Sequence, residues 1–163
     1  MKILVFLHGT TIMHENAVGR TREEIIKQVK DKEKSVHDYK SYVPVGNAVK
    51  KLHNWKKDGA EILYLSSHEA VKDVGKDKFV LKKYGFPDGQ VLFRQGGKHY
   101  KDIAEKIMPD VLIEDDCESI GGKDEMTITH VRPELKKKIK SIAVKEFSGL
   151  DHLPDKILAL LKY

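Results

Sequence analysis

The residues able to do chemistry in this 163-residue chain gather just after short hydrophobic runs. "HGTT" (His8 to Thr11) follows one such run, and "SSH" (Ser66 to His68) follows "ILYL". "RQGGKHYK" (Arg94 to Lys101), "EDDCES" (Glu114 to Ser119) and "SGLDH" (Ser148 to His152) close three more. Hydroxyls, lysines and backbone amides freed by glycine suit a phosphate or another oxyanion. Adjacent aspartates suit a hard divalent ion such as magnesium. Taken singly, each group has a plain structural use: Ser66 and Ser67 as a turn or cap, Gly96 and Gly97 as a surface loop, the lysines as solvated charges. Their recurrence at successive run ends is the informative fact.

Those groups need elements to position them. Brief apolar runs bounded by Gly, Asp or Ser lie at Ile3 to Leu7, Glu61 to Leu65, Gln90 to Phe93, Asp110 to Ile113 and Ser141 to Phe147, as expected of buried parallel strands. Between them the apolar spacing is helical. Val45, Val49, Leu52 and Trp55 form one stripe, with Pro44 set for its first turn, and Tyr100, Ile103, Ala104, Ile107 and Met108 form another, stopped by Pro109. Ile157, Leu158 and Leu161 form the last. Thr21 and Glu24 make a capping box that opens a polar helix through Lys30. Such alternation predicts an α/β fold with a parallel sheet and helices on both faces. Ligands then bind beyond the carboxyl ends of the strands, where the polar clusters fall. The stretch from Gly9 to Val43 is long for a strand-to-helix loop, so residues 11–43 are expected to form a small lid within a single domain spanning 1–163.

Bulk properties narrow the partners. Net charge is +5, from 30 basic and 25 acidic residues, but lysines alternate with acids and few aromatics are interleaved to stack bases. Nucleic acid is therefore not the expected partner. No apolar run is long enough to span a membrane, and "MKILVFLHGTT" is too short for a signal peptide. The single cysteine, Cys117, excludes an internal disulfide and fits a reducing cytoplasm.

In its order of strand-end groups the chain resembles the haloacid dehalogenase (HAD) superfamily. Members carry Asp-x-Asp-Gly-Thr after the first strand, a serine or threonine after the second, a lysine near the helix before the fourth, and paired acids after the fourth. "VFLHGT" aligns with the first motif, with Gly9 and Thr10 matched, but Phe6 stands at the nucleophile position and His8 at the acid/base position. Ser66 matches the second, Lys101 the third with Lys98 as its competitor, and Asp115 and Asp116 the fourth. The resemblance implies a three-layer Rossmann-like sandwich with a central, mainly parallel five-stranded sheet and a small helical cap. It also implies phosphate binding by Ser66 and by Lys101 or Lys98, to which the strand-end cluster adds Arg94, and Mg2+ on Asp115 and Asp116, weakened because Phe6 offers no oxygen.

Phenylalanine cannot form an acyl phosphate, so the family's usual covalent route is closed. Three roles for His8 follow: general acid/base for an attacking water, phosphohistidine nucleophile, or non-catalytic residue. The expectation is a HAD-like protein that binds a phosphorylated or anionic small molecule without aspartyl-phosphate catalysis. Hydrolysis through His8 is the enzyme alternative. A regulatory module working through the Met13 to Tyr42 surface is the third.

Overall fold

The computed structural model describes residues 1–163. Strand β1 (Lys2–Phe6) leads to the two-residue β2 (Ile12–Met13), helix α1 (Arg22–Lys30) and a second short strand, β3 (Val43–Pro44). There follow α2 (Ala48–Lys57), β4 (Glu61–Leu65), α3 (Val71–Lys83), β5 (Gln90–Leu92), α4 (Tyr100–Ile107) and β6 (Val111–Asp115). The chain ends with α5 (Thr127–His130), α6 (Pro133–Lys136), β7 (Lys140–Val144) and a last turn, α7 (Ile157–Leu160).

The five longer strands form one parallel sheet in the order β5-β4-β1-β6-β7. Its two cores follow from the two-residue period of a strand. Ile3, Val5 and Leu7 pack with Leu52 and Trp55 of α2 and Val80 of α3, whereas Leu4 packs with Ile103 and Ala104 of α4 on the other face. The chain is thus an α/β protein with a central five-stranded parallel sheet between helical layers, a Rossmann-like arrangement. Because β1 lies between β4 and β6, strand order reverses at β1, and a crevice opens beyond its carboxyl end.

Several boundaries differ from the sequence reading, each for a local reason. The helix expected from Val45 starts at Ala48, because Gly46 takes a φ of +53° and Pro44 is held in β3 opposite Ile12. β6 extends through Asp115, so the first two acids of "EDD" lie within the ladder and are buried. β7 stops at Val144, which leaves Glu146 and Phe147 free to turn toward the crevice. In the terminal turn Ile157 and Leu160 are buried, whereas Leu158 and Leu161 are exposed. The spacing had not singled out α3, whose buried positions Val74, Asp77, Val80 and Leu81 include an acid.

Segment 11–43 leaves and rejoins the body through the antiparallel β2–β3 pair, which closes its base. Between them α1 begins at the expected capping box: the Thr21 hydroxyl accepts from the Glu24 amide, and the Glu24 carboxylate accepts from the Thr21 amide. Short 3-10 turns at Lys34–His37 and Tyr39–Ser41 complete it.

Candidate functional site

A cavity of about 280 Å3 opens at the carboxyl end of β1. Phe6, His8 and Asp115 come from the strand ends; Met13, Val36 and Tyr39 come from segment 11–43. No lysine or arginine lines it. Phe6, at the end of β1, sets its ring edge-on to Tyr100, with centroids 5.0 Å apart.

The "HGTT" turn has a physical task at each position. Gly9 takes a φ of +79°, and a Cβ there would lie 2.9 Å from Asp115 Oδ2 and 3.2 Å from Glu146 Cγ, so only glycine admits both carboxylates. The Thr10 hydroxyl donates to Asp115 Oδ2 at 2.7 Å. The Thr11 hydroxyl bonds back to the Phe6 and Leu7 carbonyls at 3.1 and 3.2 Å, which fixes the turn.

Opposite this turn, Asp115, Asp116 and Glu146 bring three carboxylates within 4.8 Å of one another. Asp115 also accepts from the Cys117 amide at 3.0 Å, and Glu146 accepts from the Ser119 amide and hydroxyl at 2.7 and 2.6 Å. Burial nonetheless pushes both Asp115 and Glu146 above the usual carboxylate range, and does the same to the neighbouring Glu114. The cation that reaches the cluster is Arg22 of α1, which pairs with Asp116 at 3.1 Å and Glu118 at 2.5 Å and donates to the Glu146 carbonyl at 3.0 Å. Three hard oxygen donors suit magnesium, which readily keeps water in its remaining positions.

A second polar network lies on the β4 side. His8 Nε2 is 2.8 Å from Asp77 Oδ1, and the Ser67 hydroxyl is 2.7 Å from His8 Nδ1. A carboxylate only accepts, so Nε2–H donates to Asp77, and in the neutral ring Nδ1 then accepts from the Ser67 hydroxyl. Asp77 is fully buried, and its other oxygen accepts the Ser66 hydroxyl at 2.5 Å. Both nitrogens of His8 are therefore engaged. Beside it, burial and then proximity to His8 lower the pKa of His68.

The expected site residues divide between places. His8 and Asp115 line the cavity, and Asp116 joins their edge through the carboxylate cluster. Ser66 does not line it: its hydroxyl is buried and committed to Asp77, and Ser67 is the serine on the wall. Arg94 and Lys101 line a separate cleft of about 330 Å3 with His99 and Tyr100. Arg94 lies over the Tyr100 ring at 4.4 Å and donates to the Ser67 carbonyl at 3.1 Å. Lys98 is exposed and lines neither space. Arg22 pairs with Asp116.

Sequence reading missed Asp77, Glu146 and Arg22. For Asp77 a signal existed, since an acid stands in the apolar register Val74, Asp77, Val80. Nothing local to Glu146 or Arg22 marks them, because their partners lie 30 and 94 residues away.

Fold and site together define a Rossmann-like α/β protein with a carboxylate-edged, otherwise largely apolar pocket at its strand-order reversal. No family model and no curated protein matches the chain. Among solved structures, it is similar to a chain of the Pnkp1/Rnl/Hen1 RNA repair complex, with a TM-score of 0.55 and 15% identity over 88% of this chain and 43% of that one. A chain from another Pnkp1/Rnl/Hen1 complex structure gives a TM-score of 0.55 and 16% identity over 89% and 47%. The chain thus spans less than half the length of either, and the likeness is one of fold.

The cavity roof carries a pH-dependent contact. His14 is buried and donates through Nε2 to Gln28 Oε1 at 3.0 Å, tying the end of β2 to α1. Burial lowers its pKa from the ordinary 6.5. Below about 6.5 the unfolded chain takes up this proton before the folded one does, so stability present above that pH is lost as pH falls toward the lowered value. Urea midpoints should fall between about pH 7 and about pH 5, and His14→Gln should flatten that slope.

Proposed function

We propose that this chain is a HAD-like domain that binds a small phosphorylated or otherwise anionic molecule through a divalent cation on Asp115, Asp116 and Glu146, without aspartyl-phosphate chemistry. The reading rests on one observation above the others: a carboxylate cluster meets, across one cavity, a phenylalanine ring where the family's nucleophile would stand. No cationic side chain lines that cavity, so an anion placed there needs a bound metal ion to meet its charge. The ion would supply that positive charge. Arg22 holds Asp116 in place, and Met13, Val36 and Tyr39 shelter the apolar body of the ligand.

Thermal-shift measurements with Mg2+, phosphate, and Mg2+ plus small phosphate esters test this. A ligand present at about 100 times its Kd adds about 2.7 kcal/mol to stability. The shift should need Mg2+ and disappear in Asp115→Asn. A melting temperature unmoved by any combination would defeat the reading.

The Ser67–His8–Asp77 chain favours a second reading, hydrolysis with His8 as the acid/base, because that polarity is the one that activates a hydroxyl. It requires turnover of some phosphate ester that His8→Ala removes. The first reading expects none above buffer.

A further inference from the structure

His8, His68 and Asp77 form a cluster distinct from the carboxylates, and one of its atoms is unexplained. His68 Nε2 is buried without a hydrogen-bond partner, and its side chain is only 10% exposed. It lies 3.7 Å from Asp77 Oδ1, too far for a hydrogen bond, while His8 Nε2 lies 2.8 Å from the same oxygen. An orphaned buried nitrogen of this kind costs about 1–3 kcal/mol unless something else engages it.

We infer that His8 Nε2, His68 Nε2 and Asp77 Oδ1 form a binding site for a zinc-class divalent transition ion, separate from the magnesium-type carboxylate cluster. Each of the three residues offers a ligand atom within 4.8 Å of those of the other two. Zinc bonds of about 2.0–2.2 Å place tetrahedral ligand atoms about 3.3–3.6 Å apart. The two separations from Asp77, 2.8 and 3.7 Å, bracket that edge, so these two contacts reach it with shifts of about half an ångström. Two imidazoles with one carboxylate select zinc, iron(II) or cobalt(II) over magnesium.

The supporting contacts are also in place. The free nitrogen of His8 is held by Ser67 and the free oxygen of Asp77 by Ser66, the outer contacts that orient metal ligands. Binding shifts the His8 proton from Nε2 to Nδ1, from which it is donated to the Ser67 hydroxyl, and gives His68 Nε2 its missing partner. Three protein ligands leave a coordination position open. With its proton moved to Nδ1, His8 cannot accept one from Ser67, so metal binding and activation of Ser67 exclude each other.

Chelator-stripped protein is titrated with Co2+ in excess Mg2+, and its visible ligand-field bands are followed. One equivalent should produce bands that Zn2+ abolishes, that Asp115→Asn retains, and that His68→Ala weakens by at least about 10-fold in affinity. In the unmutated protein, Zn2+ should shift the imidazole 15N resonances of both His8 and His68, a readout independent of any variant's folding. Absence of bands, bands lost in Asp115→Asn but kept in His68→Ala, or unmoved His68 resonances would each overturn the site.

Discussion

Asp77→Ala is expected to lower stability by about 3 kcal/mol, since it strands two donors at once. The Ser66 hydroxyl, wholly buried, and the Nε2–H of His8 both end on this carboxylate, at 2.5 and 2.8 Å. Each orphaned donor costs about 1–3 kcal/mol, and collapse around an alanine recovers only part of that. Asp77→Asn keeps one acceptor oxygen and should fall between the wild type and the alanine variant. Denaturant midpoints measure both. A change in Asp77→Ala within about 0.5 kcal/mol, the range of ordinary surface substitutions, would mean that the network does not organise the site. The same variant should also bind no Co2+ at the histidine pair, which links this fold prediction to the inferred metal site.

Trp55→Ala should cost more, about 3–5 kcal/mol, the usual range for removing a large aromatic side chain from a core. Trp55 is fully buried on α2, and its indole N–H donates to the Pro154 carbonyl at 2.9 Å. It packs in the core layer that holds Ile3, Val5 and Leu7 of the β1 segment. Truncation therefore leaves a void beneath the strand that carries His8, and an unpaired carbonyl on the C-terminal segment. Against a typical total of about 5–15 kcal/mol, the loss is a large fraction and should lower Tm by about 10 °C. Trp55→Phe keeps most of the apolar volume and should recover more than half of it. Equal midpoints for the alanine and phenylalanine variants would show that the hydrogen bond, not packing, dominates here.

The contrast between these residues shows how far sequence reading reaches. Trp55 was legible from the Val45, Val49, Leu52, Trp55 stripe because core burial is periodic and the period is local. The five strands, the capping box at Thr21 and the gathering of polar groups at strand ends were legible for the same reason. Phe6, His8 and Asp115 share a cavity, as expected of residues closing adjacent parallel strands.

Pairing across the chain was not legible. Ser66 and Ser67 are neighbours of the same type, yet Ser66 points to Asp77 beneath the sheet edge and Ser67 faces His8 and the cavity. The alternation of side chains at a strand end decides this, and the dipeptide itself does not reveal the register. Lys101 satisfied the expected order of charges, but α4 sets it on the far side of Tyr100, in a different cleft. The charge at the acids comes instead from Arg22, which reaches Asp116 only because segment 11–43 folds back over the sheet.

Sequence alone determined the five strands, the strand-end turns and the helices α1, α2 and α4, though not α3, since hydrophobic period and turn chemistry act over a few neighbours. Tertiary structure decided which polar groups meet. Hydrogen bonds and ion pairs are satisfied within about 3 Å, whatever the distance along the chain, and only the packed layers set those distances.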